Sequence, residues 1–211
     1  IRDSSTAKEL SLFSDAPLSS LKNITAEACI AHLFYDSEDY KTLGARIKCN
    51  PAIKSESNRT ALRAAVNSGL IDVIATDHAP HLLNEKEGGA LKAMSGMPMI
   101  QFSLVSMLEL VNKGIFTLET IVEKMCHAPA QIYRINERGY IREGYRADLV
   151  LVRPNTPWEV TTDRILSKCG WSPLEGHTFD WKVEKTFANG HLIYDDNTVD
   201  GTYRGEELRF N

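Results

Sequence analysis

The stretch that most constrains this chain runs from Thr60 to His81. TALRAAV, residues 60–66, is built of helix formers, Asn67-Ser68-Gly69 supplies a glycine-type helix stop, and Leu70-Ile71-Asp72-Val73-Ile74-Ala75 follows as a largely apolar strand. A helix that feeds directly into such a strand is the αβ step of a parallel sheet, where helices cover both faces. The strand ends in Thr76-Asp77-His78-Ala79-Pro80-His81, so an acid and two histidines stand just past its carboxyl edge, where α/β folds assemble their sites. One such residue alone is ordinarily a cap or a surface group. Three within five residues, stiffened by Pro80, point instead to metal ligation, general-base work or capture of an anion.

Other segments extend the pattern. Leu10, Leu12 and Phe13 after a Ser-Thr start predict a short helix over 6–14, residues 24–30 a buried strand, and Arg46–Asn50 a further strand closed by Pro51. Residues 100–112 repeat apolar side chains at helical spacing, and a second helix begins with Thr117 as its cap and runs toward His127-Ala128-Pro129. After Arg134 short alternating segments take over at 139–141, 147–152 and 186–194, and Asn189-Gly190 predicts a two-residue hairpin turn. The expected organisation is αβ units over 1–136 and a small β module over 137–211.

Composition narrows the function. Twenty-four Lys and Arg against 28 Asp and Glu give a net charge of −4, without the basic field that a nucleic-acid partner requires. No apolar run reaches the ~20 residues that cross a bilayer, and the start from Ile1 has no signal-peptide core, so a soluble chain without a membrane partner is expected. Cys29, Cys49, Cys126 and Cys169 lie far apart among apolar neighbours, which predicts buried free thiols and a reducing, cytoplasmic location. Outside the 77–81 cluster, Asn50 is a candidate ligand contact or a turn residue. His32, following the first apolar strand, is a candidate metal ligand or a structural histidine. His127, His177 and His191 receive no chemistry.

Thr76-Asp77-His78-Ala79-Pro80-His81 with Glu85-Lys86, and Lys48-Cys49-Asn50-Pro51 upstream, resemble the signature of the dihydroorotases, cyclic amidohydrolases of pyrimidine biosynthesis. Gly139-Tyr140-Ile141, Gly144, Ala147-Asp148-Leu149-Val150 and Phe187-Ala188-Asn189-Gly190 resemble the segments that close the small β domain of those enzymes, so the likeness runs from about Ser5 to the C-terminus. The resemblance implies the second half of a metal-dependent (β/α)8 barrel with a small C-terminal β-sandwich module. It implies zinc-dependent interconversion of dihydroorotate and N-carbamoyl-L-aspartate, with Asp77 as metal ligand and proton carrier, His81 and Asn50 as substrate contacts and His32 as a substitute ligand.

A typical barrel needs about 250 residues by itself, so association with a missing barrel half, or with a second copy, is also implied. Three departures stand out. Asp3 occupies the place of a metal-binding histidine, Ala31 stands where relatives carry the first histidine of a His-His-Leu or His-Tyr-Leu string, and Gly96-Met97-Pro98 replaces a more glycine-rich loop, which is expected to put a bulky side chain where backbone would approach substrate. The alternative is a catalytically incomplete homologue that serves as a structural or assembly module.

Overall fold

A computed structural model describes residues 2–19 and 22–211; Ile1, Ser20 and Leu21 lie outside the described residues. Three short strands, β1 (Arg2–Asp3), β2 (Ala26–Cys29) and β3 (Val73–Ala75), form a parallel sheet in that order. Asp3 pairs with Glu27 and Cys29 with Ala75, so the three carboxyl ends stand side by side. Between β2 and β3 the chain crosses over through α1 (Ile30–Phe34), α2 (Tyr40–Leu43) and α3 (Glu56–Ser68). Helix α3 buries Leu62, Ala65 and Val66 and stops where Gly69 turns to a φ of +86°, a conformation that glycine adopts without strain. That turn delivers the chain into β3 in the way its sequence predicts.

Strand alternation puts Ala26 and Ala28 on one face of β2 and Glu27 and Cys29 on the other. The two alanines are fully buried, with Ile30, Leu33, Ile47, Leu62 and Val66 in the same core. After β3 come α4 (Gly89–Lys92), α5 (Ser103–Asn112), α6 (Leu118–Val122), a π turn over Glu123–His127 and α7 (Ala128–Ile132). Thr117 caps α6 by accepting a bond from the Thr120 amide at 3.1 Å. The expected helix over 6–14 is reduced to one 3₁₀ turn, Glu9–Leu12.

Arg46–Asn50, expected as a strand, is instead a 3₁₀ turn over Gly44–Ile47 leading into an extended link. The reason is a competing set of partners: the Lys48 carbonyl accepts the Gly96 amide at 2.8 Å and the Lys86 ammonium at 3.0 Å, which takes it out of any ladder.

The C-terminal part is all β, apart from one 3₁₀ turn. Strands β4 (Leu149–Arg153), β5 (Trp158–Glu159), β6 (Thr178–Phe179), β7 (Lys182–Ala188), β8 (His191–Asp195) and β9 (Thr198–Val199) divide between a four-stranded antiparallel sheet, β4-β7-β8-β9, and a two-stranded ribbon, β5-β6. Asn189 and Gly190, at φ of 51° and 84°, make the tight β7-β8 turn with the positive dihedrals a primed hairpin turn requires. Of the alternating segments, 139–141 forms no strand. The ribbon packs on α5 through Phe102, Trp158 and Phe179 and through a 2.9 Å bond from Trp181 Nε1 to Asn112 Oδ1. By contrast, no residue of β4, β7, β8 or β9 is fully buried, and Val150, Leu151 and Val199 are exposed.

The cysteine expectation needs one correction. All four thiols are free, but only Cys29 and Cys49 are buried, while Cys169 is half-buried and Cys126 exposed. An apolar neighbour in sequence does not bury a residue whose own helical position faces outward.

Candidate functional site

Side-by-side strand ends make the site. The β1-β2 register carries Asp3 next to the end of β2, and the first turn of α1 brings His32 back over it. The ligand atoms of Asp3, Cys29 and His32 all lie within 4.8 Å of one another. Cys29 Sγ donates to Asp3 Oδ1 at 3.7 Å.

His32 is 3% exposed, and its Nε2 lies 2.8 Å from the Pro51 carbonyl. A carbonyl only accepts, so that contact assigns the ring proton to Nε2 and leaves Nδ1 with a free lone pair. Nδ1 is buried and finds no hydrogen-bond partner among the described residues. Burial also lowers the His32 pKa, which favours the neutral imidazole that metals require.

Acidic groups converge on the same place. Burial, and then the neighbouring Asp77 carboxylate, push the Asp3 pKa up to about 6. Burial followed by the Asp3 charge raises Glu27 as well, and the same two causes in the same order hold the Cys29 thiol well above its ordinary range. The facing carboxylates, a thiol and a neutral imidazole with an orphaned nitrogen are a donor set that fits a divalent cation.

Asp77 follows β3 in the left-handed region at φ 44°, unusual for a residue with a side chain, and is exposed. Its charge is felt by Asp3, Glu27, Cys29, His32 and Cys49, but it is not one of the three side chains that converge within 4.8 Å. The structure thus groups His32 with Asp3 and Cys29, and sets Asp77 beside that group.

His78 Nδ1 accepts the Ile100 amide at 3.2 Å. His81 is engaged on both ring nitrogens: Nε2 donates to the Ser95 carbonyl at 3.0 Å, and Nδ1 lies 3.6 Å from Glu85. Asn50 is exposed, one residue before the proline whose carbonyl holds His32. A cleft of about 310 Å³ opens beside His78, lined also by Pro98, Gln101, Leu166 and Trp171. It is of a size that suits a small ligand.

The expectation that Met97 thrusts a bulky side chain toward substrate is corrected: Met97 is 1% exposed and belongs to the core. The close backbone approach belongs to Gly96, at φ +127°, where an added Cβ would lie 2.5 Å from the Ala79 carbonyl oxygen. Below it, Lys86 is 4% exposed and its Nζ donates to the carbonyls of Lys48, Met94 and Gly96 at 3.0, 2.7 and 2.6 Å.

Three groups of the candidate site escaped the sequence reading. Asp3 counted only as the loss of a histidine, Cys29 only as a buried thiol, and Lys86 only as part of a motif. The alternation of Glu27 and Cys29 along one strand face was the available signal for the second.

Residues 8–193 match the model of the amidohydrolase family. The dihydroorotase of Pyrococcus furiosus is 36% identical over 204 residues, 97% of this chain and 47% of that protein. The dihydroorotase of Clostridium acetobutylicum is 37% identical over 82% of this chain and 41% of its own length. Among solved structures, the L-hydantoinase (dihydropyrimidinase) from Arthrobacter aurescens superposes with a TM-score of 0.85 at 26% identity, covering 93% of this chain and 45% of that one. The chain therefore spans about half the length of the relatives it matches.

Proposed function

The chain belongs to the amidohydrolase family, whose members are generally metal-dependent barrel enzymes, and from that premise we propose that it acts in the hydrolysis of a cyclic amide, dihydroorotate, and in the reverse closure of N-carbamoyl-L-aspartate. The observation that carries the reading is Asp77, fixed in a left-handed conformation at the end of β3 and beside the Asp3, Cys29 and His32 group, within a chain 36% identical to a dihydroorotase over 97% of its length.

Bound there, a zinc ion would polarise the amide carbonyl and acidify water. The Asp77 carboxylate accepts the proton of the attacking water and returns it to the ring nitrogen as the C–N bond breaks. His81 meets the substrate carboxylate. Its Nδ1 already faces the Glu85 carboxylate at 3.6 Å, so a substrate carboxylate replaces like with like while Ser95 keeps the ring oriented. Asn50, exposed at the rim, offers its amide to the ring.

On this reading the three parallel strands belong to the second half of an (β/α)8 barrel spanning about 1–136. The half-exposed β4-β7-β8-β9 sheet of 137–211 is one layer of a β-sandwich whose other layer lies in a separate segment. Open edges at β1 and β3 and the exposed apolar side chains Val150, Leu151 and Val199 of the sheet favour association with that other half or with a second copy. Four free thiols fit a reducing, cytoplasmic setting, and no helix among the described residues is long and apolar enough to cross a membrane.

A second reading, a non-catalytic assembly module, is favoured by Asp3 and Ala31 where the family resemblance places histidines. Dihydroorotate hydrolysis, measured with added zinc on the chain and on any longer form containing it, decides between them. Turnover that Asp77→Ala abolishes supports the enzyme; a zinc-loaded protein with no turnover supports the module.

A further inference from the structure

We propose that Asp3, Cys29 and His32 together bind one thiophilic divalent cation, with the Cys29 sulfur as a direct ligand. The proposal rests on the metal-dependent reading above and specifies the donor set, which neither that reading nor the family likeness assigns to a cysteine.

Two independent observations point to a cation. The three ligand atoms lie within 4.8 Å of one another at the carboxyl ends of β1 and β2. His32 Nδ1 is buried with no partner among the described residues, while Nε2 is held by the Pro51 carbonyl at 2.8 Å. A carbonyl bond on the far nitrogen is the usual way a ligating imidazole is oriented and its tautomer fixed.

Geometry and charge agree. Zinc–ligand lengths of about 2.0–2.3 Å place tetrahedral donors ~3.3–3.8 Å apart, so the three side chains reach bonding distance by closing in by about an ångström. Binding replaces the Cys29 S–H bond with a sulfur–metal bond, and the thiol proton leaves to solvent. One carboxylate, one thiolate and a neutral imidazole then balance a dication, so the half-buried site carries no net charge from these groups. A sulfur, a nitrogen and an oxygen select zinc, cobalt(II) or cadmium over magnesium and calcium, which prefer all-oxygen shells.

The test is a cobalt(II) titration of the reduced protein, read by its near-ultraviolet thiolate-to-metal charge-transfer band. One equivalent should develop the band, and zinc should bleach it. Cys29→Ser should lose the band and release one proton fewer on zinc binding, while Cys49→Ser and Cys126→Ser keep both signals. His32→Gln should weaken binding at least tenfold, with far-UV circular dichroism confirming that each variant folds. A band that persists in Cys29→Ser, or metal bound by the wild type without any band, overturns the proposal. Dihydroorotate turnover without the band sinks this donor set and leaves the enzymatic reading standing; the band without turnover does the reverse.

Discussion

Lys86→Met isolates a device that ties the two loops of the site together. The Lys86 ammonium is buried and donates to three carbonyls, one from the link that carries Asn50 and two from the segment beside His78 and Ala79. Hydrogen bonds to a charged group are worth about 1.5–3 kcal/mol each, so three amount to roughly 4.5–9 kcal/mol. Burying the ammonium opposes this. Burial, partly offset by Cys49 and reinforced by Lys48, lowers the Lys86 pKa to about 8, which corresponds to a penalty of about 3 kcal/mol.

Methionine keeps the length of the side chain, removes the penalty and the three charged bonds, and leaves the Met94 and Gly96 carbonyls unpaired, while the Lys48 carbonyl keeps the Gly96 amide. The net loss should be about 2–6 kcal/mol at pH 7. Urea unfolding followed by the fluorescence of Trp158, Trp171 and Trp181 measures it. The pH dependence supplies a second reading. Because the folded state holds this proton more weakly than the unfolded chain does, wild-type stability contributed by Lys86 rises between pH 8 and the ordinary lysine range, and below pH 8 the penalty is present in full. The wild-type-minus-variant difference should therefore grow through that window. A variant as stable as wild type at pH 7, or a difference that does not change above pH 8, would refute the reasoning.

Asp72→Asn should cost about 3–5 kcal/mol by calorimetry, since Asp72 is buried, pairs with Lys22 Nζ at 2.7 Å and accepts the Ala26 amide at 2.9 Å; an unchanged melting temperature would contradict it. Gly96→Ala should destabilise the protein by 2 kcal/mol or more in order of magnitude, ~2 kcal/mol being the scale of a strained non-glycine backbone, because its Cβ meets the Ala79 carbonyl oxygen at 2.5 Å; a soluble, equally stable variant would show that the loop yields. In a form that turns over dihydroorotate, His81→Ala should lower kcat/KM roughly 10- to 150-fold through the lost contact to a charged group and leave the metal bound, whereas Asp77→Ala should leave no measurable turnover. Equal losses from the two substitutions would remove the distinction between binding and proton transfer.

The legible parts of this chain were those fixed by neighbours in sequence. The helix stop at Gly69, the strand into Ala75, the Asn189-Gly190 hairpin and the polar end at 76–81 all follow from spacing and turn chemistry, and each stands where it was expected. Residues whose surroundings come from distant segments were not legible. Arg46–Asn50 reads as a strand until the Lys48 carbonyl is claimed by Gly96 and Lys86. Met97 reads as an obstruction until its side chain is found in the core. The donor group is the plainest case: 26 residues separate Asp3 from Cys29, and the register of two parallel strands, set by a crossover that no local pattern encodes, brings them into contact. Sequence marked the polar strand end at 76–81 and the local elements around it, and passed over Asp3 and Cys29. Tertiary structure decided which of those residues meet, because parallel pairing and burial are properties of the closed fold and of no single segment.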